Sequence, residues 1–237
     1  MEKMMRVDIW SDVRCPFCYI GKRKFEAALD KFTHKDQVEI SWHSFELDPD
    51  LKTQTDLNVY DYFVERKGVP REHAEKLHSQ VTRTAADVGL KFNFDQAVIA
   101  NSFNAHRLIQ FAKTKGFGDK AEEALFRAYF TDGQNIDDNE TLVQIGDSLG
   151  LESEKVNEML SSGKYRQEVE QDELQAREIG INGVPFFIFN NQYAVSGAQP
   201  AEIFSGVLDK SFNEFEKENT SLTVTTGETC STDVNCS

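Results

Sequence analysis

A chain of 237 residues that is 39% hydrophobic and holds 18 phenylalanines has apolar side chain enough for one large domain or two small ones, and its 14 glycines and 5 prolines exclude a collagen-like or low-complexity architecture. With 40 acidic residues against 26 basic the net charge is −14, which repels phosphate backbones and anionic bilayers, so no nucleic-acid or membrane partner is expected. No stretch approaches the roughly 18 apolar residues of a membrane span, and the opening MEKMMRVDIWSD lacks the apolar run of a secretory leader, which makes the cytoplasm the expected compartment.

Arg6 to Trp10 alternates, with Val7 and Ile9 on one side and Asp8 on the other, and reads as a first strand. Behind Cys15-Pro16, the residues Phe25, Ala28, Leu29 and Phe32 recur at helical spacing, which leaves Lys22, Arg23 and Lys24 on the wet face. Val38, Ile40 and Trp42 alternate with Glu39, Ser41 and an outward His43 in a second strand. The first 45 residues thus form a β-α-β unit. From residue 49 to 162 the periodicity is helical throughout, with helices carrying Ala74 to Val88, Phe103 to Phe111, Leu125 to Phe130, Leu142 to Leu149 and Lys155 to Leu160. This block is expected to be an all-helical insertion. A further helix covers Lys164 to Ile179, and Pro185 to Phe189 with Gln192 to Val195 flank Asn190-Asn191 as a β-hairpin. A last helix opens near Pro200 with Phe204, Leu208, Phe212 and Phe215 on its stripe, and residues 219–237 read as a flexible polar tail.

The 4 cysteines fall in two close pairs, Cys15/Cys18 and Cys230/Cys236, too sparse for a disulfide scaffold and suggestive of chemistry or metal in a reducing compartment. Cys15-Pro16-Phe17-Cys18 lies between a strand and a helix. Cys15 takes the N-cap position with Pro16 at the first helical position, so its sulfur meets unpaired N–H groups and the positive end of the helix dipole, where a thiolate is favoured. Cys15 is therefore the expected nucleophile. Cys18, one turn on along the same face, is the expected resolving thiol. A zinc half-site is the competing reading, but its other ligands would be Cys230 and Cys236 in the tail, and His73 and His78 do not share a helical face; no metal site is expected.

Asp12 is either a proton relay for the thiols or a turn residue capping the loop. Phe17, with Phe186 and Phe187, either floors an apolar groove for clients or packs in the core. Cys230 and Cys236 form a tethered second dithiol or an incidental pair in the tail. Pro185 opens an apolar strand at a position that costs no ladder hydrogen bond, and its residues alone favour a trans bond.

Trp10-Ser-Asp-Val-Arg-Cys-Pro-Phe-Cys-Tyr-Ile-Gly-Lys22 resembles the active-site motif of the DsbA-like thioredoxin-fold oxidoreductases, specifically their FrnE-like branch. The likeness continues through Trp42 to Pro49, Asn101 to Leu108 and Gly180 to Ile188, most of residues 6–215. It implies an α/β, thioredoxin-like fold built from 1–48 and 163–218, with 49–162 as the all-helical insertion. It implies that Pro185 is cis and faces the cysteines, and that Val184 offers backbone groups to a substrate strand, with Pro16 and Phe17 alongside.

The expected activity is that of a cytosolic protein-disulfide oxidoreductase or isomerase acting on protein, peptide or small-molecule disulfides. No resident cofactor is expected; glutathione is a candidate thiol co-substrate, and a thiol or reductase must recycle the enzyme. Related kappa-type glutathione transferases and 2-hydroxychromene-2-carboxylate isomerases carry serine where Cys15 stands, which makes a glutathione-dependent transferase or isomerase the alternative enzyme. A peptide-binding chaperone or zinc-holding module is the non-enzyme alternative.

Overall fold

The structure is a computed structural model, and it describes residues 3–219. Its sheet has four strands, β1 (Met5–Ser11), β2 (Val38–Ser44), β3 (Phe186–Phe189) and β4 (Tyr193–Ser196), in the order β2-β1-β3-β4. β1 and β2 run parallel with Ile9 opposite Trp42, because helix α1 (Pro16–Leu29) carries the chain back across one face. β3 and β4 are antiparallel to their neighbours. Asn190 and Asn191 both adopt positive φ, 48° and 53°, in the hairpin turn, a conformation asparagine tolerates better than most residues.

Being central, β1 is covered on both sides, and this changes the reading of its alternation. Val7 and Ile9, with Phe187 and Phe189 of β3, meet α1 and helix α9 (Ala201–Asn219) through Phe25 and Phe204. The other face holds Trp10, whose indole N–H donates to the Asp172 carbonyl of helix α8 (Arg166–Glu178) at 3.1 Å. Asp8 lies on this covered face rather than in solvent. His43 is likewise buried, stacked on Trp10 at 4.4 Å and held between Asp8 at 2.6 Å and Asp172 at 2.7 Å. An outward-facing residue on a sheet with helices on both faces is still an interior one.

Between β2 and α8 the chain forms α2 (Val59–Lys67), α3 (Arg71–Ala86), α4 (Phe103–Lys113), α5 (Gly118–Phe130), α6 (Asn139–Ser148) and α7 (Ser153–Ser161), with one isolated bridge pairing Gln54 and Ile99. Helix α2 is not singled out by the sequence within the helical block; Asn58 caps its start by accepting the Asp61 N–H, and its stop is the left-handed Gly68 at φ 66°. The Arg107 guanidinium of α4 donates to carbonyls at the end of α7 and before α8, including Leu160 at 3.3 Å and Lys164 at 2.9 Å. That ties α4 to the end of α7 and to the segment leading into α8. No helix among the described residues is long and apolar enough to cross a membrane.

Candidate active site

The turn from β1 into α1 is organised by Asp12. Its carboxylate accepts the N–H of Arg14 at 3.0 Å and of Leu47 at 2.8 Å, and its carbonyl accepts the N–H of Cys15 at 2.9 Å. The capping reading of Asp12 is thus what the geometry displays. Asp12 also faces His106 of α4, with Oδ1 and Nε2 at 3.7 Å, beyond hydrogen-bond reach but close for two charges in a fully buried site. Burial works to raise the Asp12 carboxyl, and His106 together with Arg14 outweighs it, holding the pKa below its ordinary value.

Cys15 sits at the N-cap of α1 in extended conformation, with Pro16 next and no side chain capping the helix. The positive end of the helix dipole is therefore at its sulfur. The Cys15 thiol donates to the Val184 carbonyl at 3.6 Å, and the Val184–Pro185 bond is cis, as the resemblance implies and against the trans reading of the residues alone. Gly21 permits this approach of loop to helix, since a Cβ there would stand 3.0 Å from Pro185 Cγ. Cys18 is a free thiol beside Cys15 and is fully buried. Burial pushes its pKa well up, reinforced by the hydrogen bond and charge of Cys15, while the Asp12 backbone N–H and the Ser11 hydroxyl pull the other way.

Behind the turn lies a second set of polar groups. The Ser11 hydroxyl donates to Glu122 of α5 at 2.6 Å, and both are 1% exposed. Burial pushes the Glu122 carboxyl up to about 7, against Ser11, His106 and Lys22 and with Asp119. Glu46 is also raised to about 7, again chiefly by burial. Lys22 is only 2% exposed, buried by its contacts to Glu26, Asp119 and Glu123 rather than lying on a wet face.

A pocket of about 550 Å³ is lined by the neighbours of Cys15 in sequence, Arg14, Pro16 and Phe17, and by Tyr62, Phe63 and Val81 among others, though not by Cys15 itself. Phe17 is 45% exposed there. Phe187 instead belongs to the core, and Phe186 packs on the opposite sheet face with Trp10, so neither lines this pocket. His78 also lines it, its Nδ1 paired with the Ala74 carbonyl at 2.7 Å and its pKa lowered by burial. Among the described residues no three His, Cys, Asp or Glu side chains are arranged to hold a metal ion. Cys230 and Cys236, with the tail from 220, lie outside the described residues. Ser11, Glu122 and Arg14 are site residues that the sequence reading missed.

Known proteins are similar to this chain over most of its length. The chain is 37% identical to the crystal structure of a probable DsbA oxidoreductase from Streptomyces coelicolor, with a TM-score of 0.84 and 97% of each chain covered. It is 28% identical to the uncharacterized protein YwbO of Bacillus subtilis (strain 168) over 86% of this chain and 96% of that one. The cytosolic disulfide reductase DsbM from Pseudomonas aeruginosa shares the fold at a TM-score of 0.59 and 16% identity, over 90% of this chain and 98% of that one. A family model described as the DSBA-like thioredoxin domain matches residues 6–209, and with a thiol pair at a helix N-terminus facing a cis-proline loop, this chain belongs to that family.

Proposed function

We propose that this chain is a thiol–disulfide oxidoreductase of the FrnE-like branch, reducing or isomerising protein, peptide or small-molecule disulfides in the cytoplasm. The observation that carries this reading is the meeting of the Cys15 thiol with the Val184 carbonyl at 3.6 Å, beside the cis-Pro185 loop and with a second free thiol adjacent. The Cys15 thiolate attacks one sulfur of a substrate disulfide, giving a mixed disulfide and releasing the other sulfur as a thiolate. Cys18, as thiolate, then attacks the Cys15 sulfur, releases the reduced substrate and leaves a Cys15–Cys18 disulfide. Two electrons pass to the substrate, and a thiol such as glutathione or a reductase restores the dithiol. Val184 aligns the substrate strand, and Pro16 and Phe17 receive its apolar neighbours in the adjoining pocket.

Insulin-disulfide reduction by wild type, Cys15→Ser and Cys18→Ser tests this. Wild type accelerates precipitation of the insulin B chain, Cys15→Ser does not, and Cys18→Ser accumulates a mixed disulfide. Full turnover by Cys18→Ser, together with tight glutathione binding, would transfer the assignment to the glutathione-dependent transferase or isomerase class. Client binding that survives loss of both cysteines, with no reductase activity in wild type, would make the chain a peptide-binding chaperone.

A further inference from the structure

The pocket beside the Cys15 turn is bounded by the start of α1 and by helices α2, α3 and α5, and its volume of about 550 Å³ is that of a small-molecule site. Its lining is chiefly aromatic and aliphatic, with Phe63, Phe94 and Phe130 beside Phe17. Although the chain has 40 acidic residues, none of them lines this pocket. His78, its Nδ1 tied to the Ala74 carbonyl, is kept neutral by burial, so the charge in the lining is that of Arg14.

Arg14 keeps a donor unused. Burial works to lower its pKa, but Tyr129, Asp12 and Tyr62 prevail and the guanidinium stays charged; both tyrosines line the same pocket. Asp12 spends its carboxylate on the backbone N–H groups of Arg14 and Leu47. The buried Nε–H of Arg14 has no hydrogen-bond partner among the described residues. A planar cation so placed in an apolar wall matches a carboxylate.

We propose that the substrates of this site are small aromatic disulfides bearing a carboxylate, the ring filling the pocket and the carboxylate meeting the Arg14 guanidinium while a sulfur meets Cys15. This rests on the dithiol reading above and narrows it. Arg14 and Cys15 are adjacent in the chain, so the carboxylate lies within a few bonds of the sulfur. One cation balances one negative charge, whereas a phosphomonoester, at about −2, would carry unpaired charge into the apolar wall. The net charge of −14 opposes any anion at long range, so a preference for one has to be made locally.

In the reaction the Cys15 thiolate bonds to the sulfur of the held ring, and the other half leaves with the S–S electron pair as an arylthiolate. The Cys18 thiolate then bonds to Cys15 Sγ, and the held half departs with its pair as a second arylthiolate. Two electrons have passed to the substrate, the two thiol protons have gone to water, and an external thiol restores the dithiol.

The test mixes the reduced full-length protein with excess meta-substituted dithiodibenzoate or its uncharged bisamide and follows arylthiolate by absorbance. Each rate is divided by that of mercaptoethanol with the same disulfide, which removes intrinsic reactivity. Wild type favours the acid over the amide about 30-fold. Arg14→Gln brings this ratio to one or below, whatever it does to both rates in common through Cys15, and Arg14→Lys recovers part of it. Dithiodipropionate, a carboxylate without a ring, gains about tenfold less than the dibenzoate. A wild-type ratio near one, a ratio unchanged in Arg14→Gln, or equal gains for the dipropionate and the dibenzoate overturns the proposal. Insulin reduction by a wild type with no acid preference strikes this inference alone, whereas failure to reduce insulin and both aryl disulfides strikes the dithiol reading itself.

Discussion

Asp12 and His106, both buried, face each other at 3.7 Å directly behind the turn that carries Cys15. The pair has a defined pH signature. Asp12, lowered in the fold, contributes stability that is present above its ordinary value of 3.8 and lost as pH falls through its folded value. His106 is raised, its carboxylate neighbours prevailing over burial, so its contribution is full below 6.5 and lost as pH rises through its folded value. His106→Gln is expected to cost about 3 kcal/mol in urea unfolding between these limits, because it leaves Asp12 charged and buried. The difference from wild type should shrink on the alkaline side. A gap that stays constant from about pH 5 to about pH 9 contradicts the pairing.

His43 bridges Asp8 and Asp172, and Asp172 also accepts from the Gln110 side chain at 2.6 Å and from the Ser44 N–H at 2.8 Å. His43→Gln is expected to cost about 3 kcal/mol, while adding Asp172→Asn costs little more, since the stranded carboxylate is what makes the single change expensive. Strictly additive losses in the double variant would show that the two side chains do not interact.

Gly21 lets α1 approach Pro185 closely, and a side chain there would also stand 3.5 Å from Ala198 Cβ. Gly21→Val is expected to displace the Val184–Pro185 loop and slow insulin reduction about tenfold through lost alignment, with far-UV circular dichroism unchanged. Wild-type turnover in a folded Gly21→Val protein would mean that the loop does not align the substrate.

Phe17 stands exposed at the pocket beside Cys15. Phe17→Asp should raise KM for an apolar peptide disulfide about tenfold, corresponding to roughly 1.4 kcal/mol of lost contact, while kcat holds. A fall in kcat at constant KM would place Phe17 in the chemistry instead of in binding.

The sheet was legible because its signals are local. Val7 and Ile9 alternate, Val38, Ile40 and Trp42 alternate, and Asn190-Asn191 sits between two apolar runs. The CxxC was legible for the same reason, since helix start and thiol pair occupy four adjacent residues. The buried polar groups were not, because each finds its partner far along the chain: Ser11 at Glu122, His43 at Asp172, Lys22 at Asp119. Composition marks such residues as solvated, and only tertiary packing reverses that. Glu122 did leave one trace. It falls in register with Leu125, Phe126 and Tyr129, the buried stripe of α5, where a carboxyl is out of place unless something within the protein needs it.

The thiols are borne by the sheet's own first helix, but Glu122, His106 and most of the pocket wall come from helices between β2 and α8. A designer who trimmed the chain to its sheet and flanking helices would inherit both sulfurs and the cis-proline loop, yet neither of the buried partners, Glu122 and His106, that Ser11 and Asp12 face beneath them. Miniaturising this scaffold means keeping α4 and α5, and grafting its CxxC alone onto another protein would transplant the two thiols without the buried polar groups packed behind their turn.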